Sequence, residues 1–148
     1  MAAPLVAFPD PLIVALGILR AGLPAVHGSA VKIGTIPPEA RPPANQGLPY
    51  IRFTVDSPAD VRYPVSRTDF LRVVIWDTTA DKSLRIAQEC MAVLMAFPGD
   101  SNCRGFGDPI GPTPASDPDA GPLVNRASNA GSPFAFFTVA VRLRPTTL

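Results

Sequence analysis

Residues Asp69 to Phe97 read DFLRVVIWDTTADKSLRIAQECMAVLMAF, and this stretch decides the fold class. Two periods follow one another in it. From Phe70 to Asp77 the alternation sets Leu71, Val73 and Ile75 on one face and Phe70, Arg72, Val74 and Trp76 on the other, which predicts a strand. From Ala80 to Ala96 the spacing becomes helical. Leu84, Ala87, Met91 and Leu94 form one apolar row, and Ile86, Cys90, Val93 and Phe97 form the next. Lys82, Arg85, Gln88 and Glu89 fall opposite, with Arg85 and Glu89 four residues apart. Thr78 or Thr79 supplies an N-cap, Asp81 sits in the first turn, and Pro98-Gly99 ends the helix. A helix so close behind a strand folds back over the Leu71/Val73/Ile75 face. The unit carries no catalytic constellation, so function is sought around it.

Upstream, residues 1 to 9 are an apolar lead-in. Asp10-Pro11 starts a helix, PLIVALGILRA, expected to end at Gly22. Its one charged side chain is Arg20, so it is expected to be buried on more than one side, the second side being a neighbouring subunit. The lone His27 reads as a solvated or capping residue. Val31 to Ile36 and Tyr50 to Asp56 read as strands, separated by the stiff, projecting run from Pro37 to Pro43. Residues 57 to 69 read as a connection. Downstream, Phe134 to Arg144, FAFFTVAVRLR, alternates as a strand. Residues 98 to 133 hold seven prolines and six glycines with no sustained period, and read as one long Pro/Gly-rich loop with at most short strand pieces near Ile110 or Leu123.

These elements predict a single α+β domain over residues 1 to 148. Its antiparallel or mixed sheet has about four strands, with two helices packed on one face. The other face carries Tyr50, Arg52, Phe70, Arg72, Val74, Trp76, Phe136, Arg142 and Arg144. Aromatics interleaved with arginine are the composition of protein interfaces. A half-exposed sheet face reads equally well from the same residues. The candidate subunit-interface or lumen residues are Arg52, Phe70, Arg72, Trp76, Arg142 and Arg144. The candidate docking-loop residues are Pro37, Pro38, Arg41, Arg104, Phe106 and Ile110.

Composition narrows the function classes. A net charge of +1 shows neither the basic excess of a nucleic-acid binder nor an acidic tail. Four arginines on one face suit transient passage of DNA better than sequence reading. With 19 prolines and 11 glycines, about a fifth of the chain is breaker residues, against about 12% in average usage. They cluster between apolar segments, so they shape loops on a core rather than abolish one. Two cysteines make no disulfide framework. The N-terminus lacks a basic region and is interrupted at Pro9-Asp10-Pro11, so it is not read as a signal peptide. No apolar run reaches membrane-span length, and the protein is expected to be made in the cytoplasm. Phosphate-binding glycine motifs, CxxC, HExxH, calcium loops and a GxSxG elbow are all missing. No cofactor, metal or catalytic residue is expected.

The apolar helix opening with FPD, the strand LPYIRFTV, the DFLRVVIWDTTADKSLRIAQECMAVLMAF unit with its polar turn Trp76 to Ala80, and the closing FFTVAVRLR strand together resemble the tail terminator proteins of long-tailed bacteriophages. They are most similar to versions from phages of actinobacterial hosts. The resemblance covers nearly the whole chain except residues 98 to 133. It implies a virion protein, without enzymatic activity, that assembles as a hexameric ring. Such a ring caps the tail tube, ends its polymerisation and presents a surface to the head connector or stopper, with genomic DNA passing through its lumen. Head–tail connector and neck proteins share much of this appearance. A small enzyme or ligand-binding domain with a loop-built site is the alternative from another class.

Overall fold

The computed structural model describes residues 5–29, 31–36, 47–114 and 134–148. Among these the element order is β1 (Val6–Ala7), α1 (Pro11–His27), β2 (Lys32–Gly34), β3 (Tyr50–Arg62), β4 (Ser66–Trp76), α2 (Ala80–Ala96), β5 (Cys103–Pro114), β6 (Phe134–Leu143) and β7 (Thr146–Thr147). The fold is α+β, with a mixed five-stranded sheet in the order β2-β3-β4-β6-β5 and a separate β1-β7 pair.

The stretch from Asp69 to Phe97 forms the expected strand and helix. β4 runs antiparallel to β6 without a break, from Arg67↔Leu143 to Trp76↔Phe134. This register keeps Leu71, Val73 and Ile75 beside Val139, Phe137 and Ala135 on one face. Both helices cover that face. Ala15, Leu19 and Leu23 of α1 and Ile86, Ala87, Cys90 and Leu94 of α2 join Ile51, Phe53, Leu71, Val73, Ile75 and Phe137 in one buried cluster. Removing these side chains from water is the main favourable term in folding. α2 begins as read, with Thr79 Oγ1 accepting from the Lys82 amide at 3.2 Å. α1 begins at Asp10, whose Oδ1 accepts from the Leu12 amide at 2.9 Å.

Three expectations need correction. The sheet has five strands because β5 crosses the stretch read as a loop. Three register shifts along β5 each insert one extra residue against β6. Positive φ at Gly105, Asp108 and Gly111 absorbs the bends. β5 is an edge strand, so Pro109 and Pro112 need no ladder partner on the open side. Residues 115 to 133 of the expected loop lie outside the described residues.

The connection over residues 57–69 is instead a continuation of β3 and β4 into a long hairpin, with two register shifts on β3 and a tip closed by the Val65 amide donating to the Arg62 carbonyl. α1 does not end at Gly22. Gly22 is a contact position, where a Cβ would lie 2.8 Å from Val93 Cγ1. The helix continues through Pro24 to Gly28, whose left-handed φ of 86° forms the C-cap. One side of α1 stays open within the chain, the side expected to meet a neighbouring subunit: Ile13 and Val26 are 68% and 54% exposed.

Candidate functional site

The sheet face turned away from the helices is built from β3, β4 and β6 side chains in register: Tyr50, Trp76 and Phe134; Arg52, Val74 and Phe136; Thr54, Arg72 and Thr138. It divides along the strands into two parts with different physics.

At one end an aromatic cluster is closed off from water. Tyr50 stacks on Trp76 at 6.0 Å between ring centroids, and Trp76 meets Phe134 at 6.3 Å. Tyr50, Val74, Trp76 and Phe134 are buried, with Leu48 and Phe136 packed against them. Gly34 makes this closure possible, since a Cβ there would lie 2.7 Å from the Tyr50 hydroxyl. That hydroxyl donates to the Ile36 carbonyl at 2.8 Å. Trp76 is 0% exposed, so burial within the chain removes it from the set of candidate interface residues. Among the described residues its Nε1–H has no hydrogen-bond partner, a cost of about 1–3 kcal/mol that aromatic packing offsets.

At the other end the face is half open. The Arg72 guanidinium lies 5.5 Å from the Phe136 ring centroid, and its Nε is 3.0 Å from Asp56 Oδ1. Arg52 Nε donates to the Thr35 carbonyl at 3.1 Å. Arg142 Nη2 donates to Asp108 Oδ2 at 3.3 Å, its guanidinium lying over Gly107, where a Cβ would come within 2.8 Å. Phe70 is half-buried, and Arg144 is exposed. Among the described residues two of the four arginines therefore have a carboxylate partner, Arg72 in a half-buried pair and Arg142 in an exposed one. The face mixes partly wet aromatic rings with arginines that are neutralised only in part.

The docking-loop residues separate as well. Pro37, Pro38 and Arg41 lie outside the described residues. Phe106 is buried at 8% exposure, opposite Val141 in the core face and edge-on to Phe97 at 6.2 Å, so it is a core residue rather than a docking contact. The inward turn comes from the β5 register, which the glycine-rich sequence hides. Arg104 and Ile110 are exposed, Ile110 by 72%.

His27 Nδ1 lies 2.6 Å from Glu89 Oε2, while Arg85 Nε donates to Glu89 Oε1 at 3.2 Å. His27 therefore joins α1 to α2 rather than standing in solvent. A cleft of about 490 Å³ opens beside it, lined by His27, Asp77, Thr78, Lys82 and Arg85 together with Leu48, Pro49 and Ile86 among others. Asp69 continues the core-facing row of β4 and is 1% exposed, taking both bonds of the Arg67 fork at 2.9 and 3.2 Å. That hydrogen bond holds the Arg67 pKa above its ordinary value. Cys90 and Cys103 are free and buried, and desolvation pushes both thiols up, away from the nucleophilic thiolate. Among the described residues no group of three His, Cys, Asp or Glu side chains could hold a metal, and no helix is long and apolar enough to cross a membrane.

Two features escaped the sequence reading. One is the apolar hairpin tip, where Val61, Tyr63 and Val65 are 47%, 55% and 61% exposed. The other is an apolar groove of about 580 Å³ between α1 and α2. Compared with known proteins, the sequence matches no family model and no curated protein.

Proposed function

We propose that this chain is a ring-forming structural protein of the phage tail-terminator type, which caps a tail tube, ends its growth and joins it to the head connector while DNA passes through the lumen. The observation that carries the reading is the open half of the outer sheet face. There Phe70 and Phe136 lie half-buried beside arginines already paired to carboxylates. Such a face loses little by meeting another protein surface, because Arg72 and Arg142 already lie against carboxylates and its aromatic area is still partly wet. The exposed side of α1 and the apolar hairpin tip give further surface for neighbours. The resemblance of the FPD helix, the LPYIRFTV strand and the closing FFTVAVRLR strand to tail terminators supports a station at the head–tail junction, where neck proteins of similar appearance are the second reading.

The test is co-assembly with a tail tube protein, read by electron microscopy and solution mass. The proposal expects a ring of identical subunits, six in the family it resembles, seated on one end of finished tubes. A ring that binds head connector proteins but leaves tube length uncontrolled assigns the chain to the neck instead. A chain that stays monomeric beside the tube and binds a small molecule at the His27–Lys82 cleft refutes the ring altogether.

A further inference from the structure

The hairpin tip and the α1–α2 groove answer one another in shape and polarity. The tip is a narrow knob with Val61, Tyr63 and Val65 on its surface. It is held in place, since the Tyr63 hydroxyl accepts from the Val6 amide at 3.2 Å. A preorganised knob loses little entropy on docking. The groove is lined by Ile13, Gly17 and Ala21 of α1 and by Val93, Phe97 and Asp100. Its floor is open because Gly17 and Ala21 lack bulk on the exposed side of α1, and a Cβ at Gly17 would meet nothing within 4 Å.

Charge agrees with shape. Arg62 at the tip has a side chain 79% exposed, with only a loose approach of 3.9 Å to Asp60. Asp100 stands exposed at the groove rim; its Oδ1 accepts from the Asn102 and Cys103 amides at 2.8 and 2.9 Å, which leaves Oδ2 as the oxygen for a partner. Both patches lie at the same end of the sheet, because Leu143 pairs with Arg67 on one side and Cys103 on the other. No tip residue lines the groove of its own chain, however.

We propose that the hairpin tip of one copy seats in the α1–α2 groove of the next copy, with Arg62 against Asp100. The inference rests on the ring reading above and names the contact that closes the ring. One patch meeting a different patch is a heterologous contact, the kind that generates rings when the rotation closes.

Two single-cysteine variants test it, Val65→Cys at the tip and Gly17→Cys in the groove. The native Cys90 and Cys103 are buried and leave the introduced thiols as the reactive ones. With a short bis-maleimide, each variant alone stays unlinked, the mixture gives covalent dimers, and the double variant gives a ladder ending at the ring. In parallel, Val65→Asp weakens assembly at least tenfold while the melting temperature stays within a few degrees. Links within a single-variant sample would show a two-fold contact and overturn the proposal. Rings that form without the mixed link would overturn this contact and leave the ring reading standing. A monomer at every concentration, with or without a tail tube protein, would overturn both.

Discussion

The Trp76 end and the Arg72 end of the outer sheet face share the same strands and the same alternation, yet only one is finished. Around Trp76, Tyr50, Val74 and Phe134 are closed off within the chain. Around Arg72, Phe70 and Phe136 remain partly wet, and acidic partners hold Arg72 and Arg142 in place. An aromatic residue on a sheet face therefore does not mark an interface by itself. The informative quantity is what remains exposed after the chain's own elements have folded over it.

The largest test of this contrast is Trp76→Glu. It removes an aromatic side chain that is 0% exposed and places a carboxylate there. Loss of the aromatic alone costs about 3–5 kcal/mol, and the buried charge adds to it. Urea denaturation should show a chain largely unfolded in buffer. A folded variant that merely fails to assemble would return Trp76 to the interface.

A second comparison lies within β5. Phe106→Ala should cost about 3 kcal/mol or more as a core truncation, whereas Ile110→Ala should stay within about 0.5 kcal/mol. Equal effects in denaturant titrations would contradict the register that turns one in and leaves the other out. The third pair is on α1. Gly22→Ala drives a Cβ to 2.8 Å from Val93 Cγ1. Overpacking of about 1–3 kcal/mol should exceed the ~1 kcal/mol gain in helix propensity, and the melting temperature should fall. Gly17→Ala, facing open space, should raise stability by about 0.5–1 kcal/mol. On the open face, Arg72→Ala should cost only about 1 kcal/mol of stability and weaken assembly more than it weakens folding.

The smallest effect is alkaline. Burial raises the Cys90 thiol pKa, with the Glu89 charge adding to the shift. A group raised in the folded state contributes full stability below its unfolded pKa and loses it as pH rises. Stability should therefore begin to decline above about pH 8.5, where the unfolded thiol ionises. Cys90→Ala should flatten that part of the pH profile. An unchanged slope would assign the decline to other groups.

Much of the architecture was legible because local signals and tertiary contacts agreed. The strand and helix of Asp69 to Phe97, the Asp10 and Thr79 caps, and the pairing of Arg85 with Glu89 all follow from period and spacing. β5 was hidden because its extra residues break the alternation that identifies a strand, and because proline is tolerated on an open edge. The true end of α1 was hidden because Gly22 serves a neighbour rather than a turn. The candidate surface was half legible. Alternation placed Phe70, Arg72 and Trp76 on one face, but no local signal tells that the 33–36 segment approaches Tyr50 at one end. Pairing of Arg72 with Asp56 and Arg142 with Asp108 crosses strands, so spacing along the chain does not reveal it.

The central claim is that this chain completes itself only against copies of itself. Sedimentation or light scattering, with and without a tail tube protein, measures that directly. The account predicts a closed ring of fixed copy number, formed at high concentration or on meeting the tube. A species that remains monomeric in both conditions would contradict it.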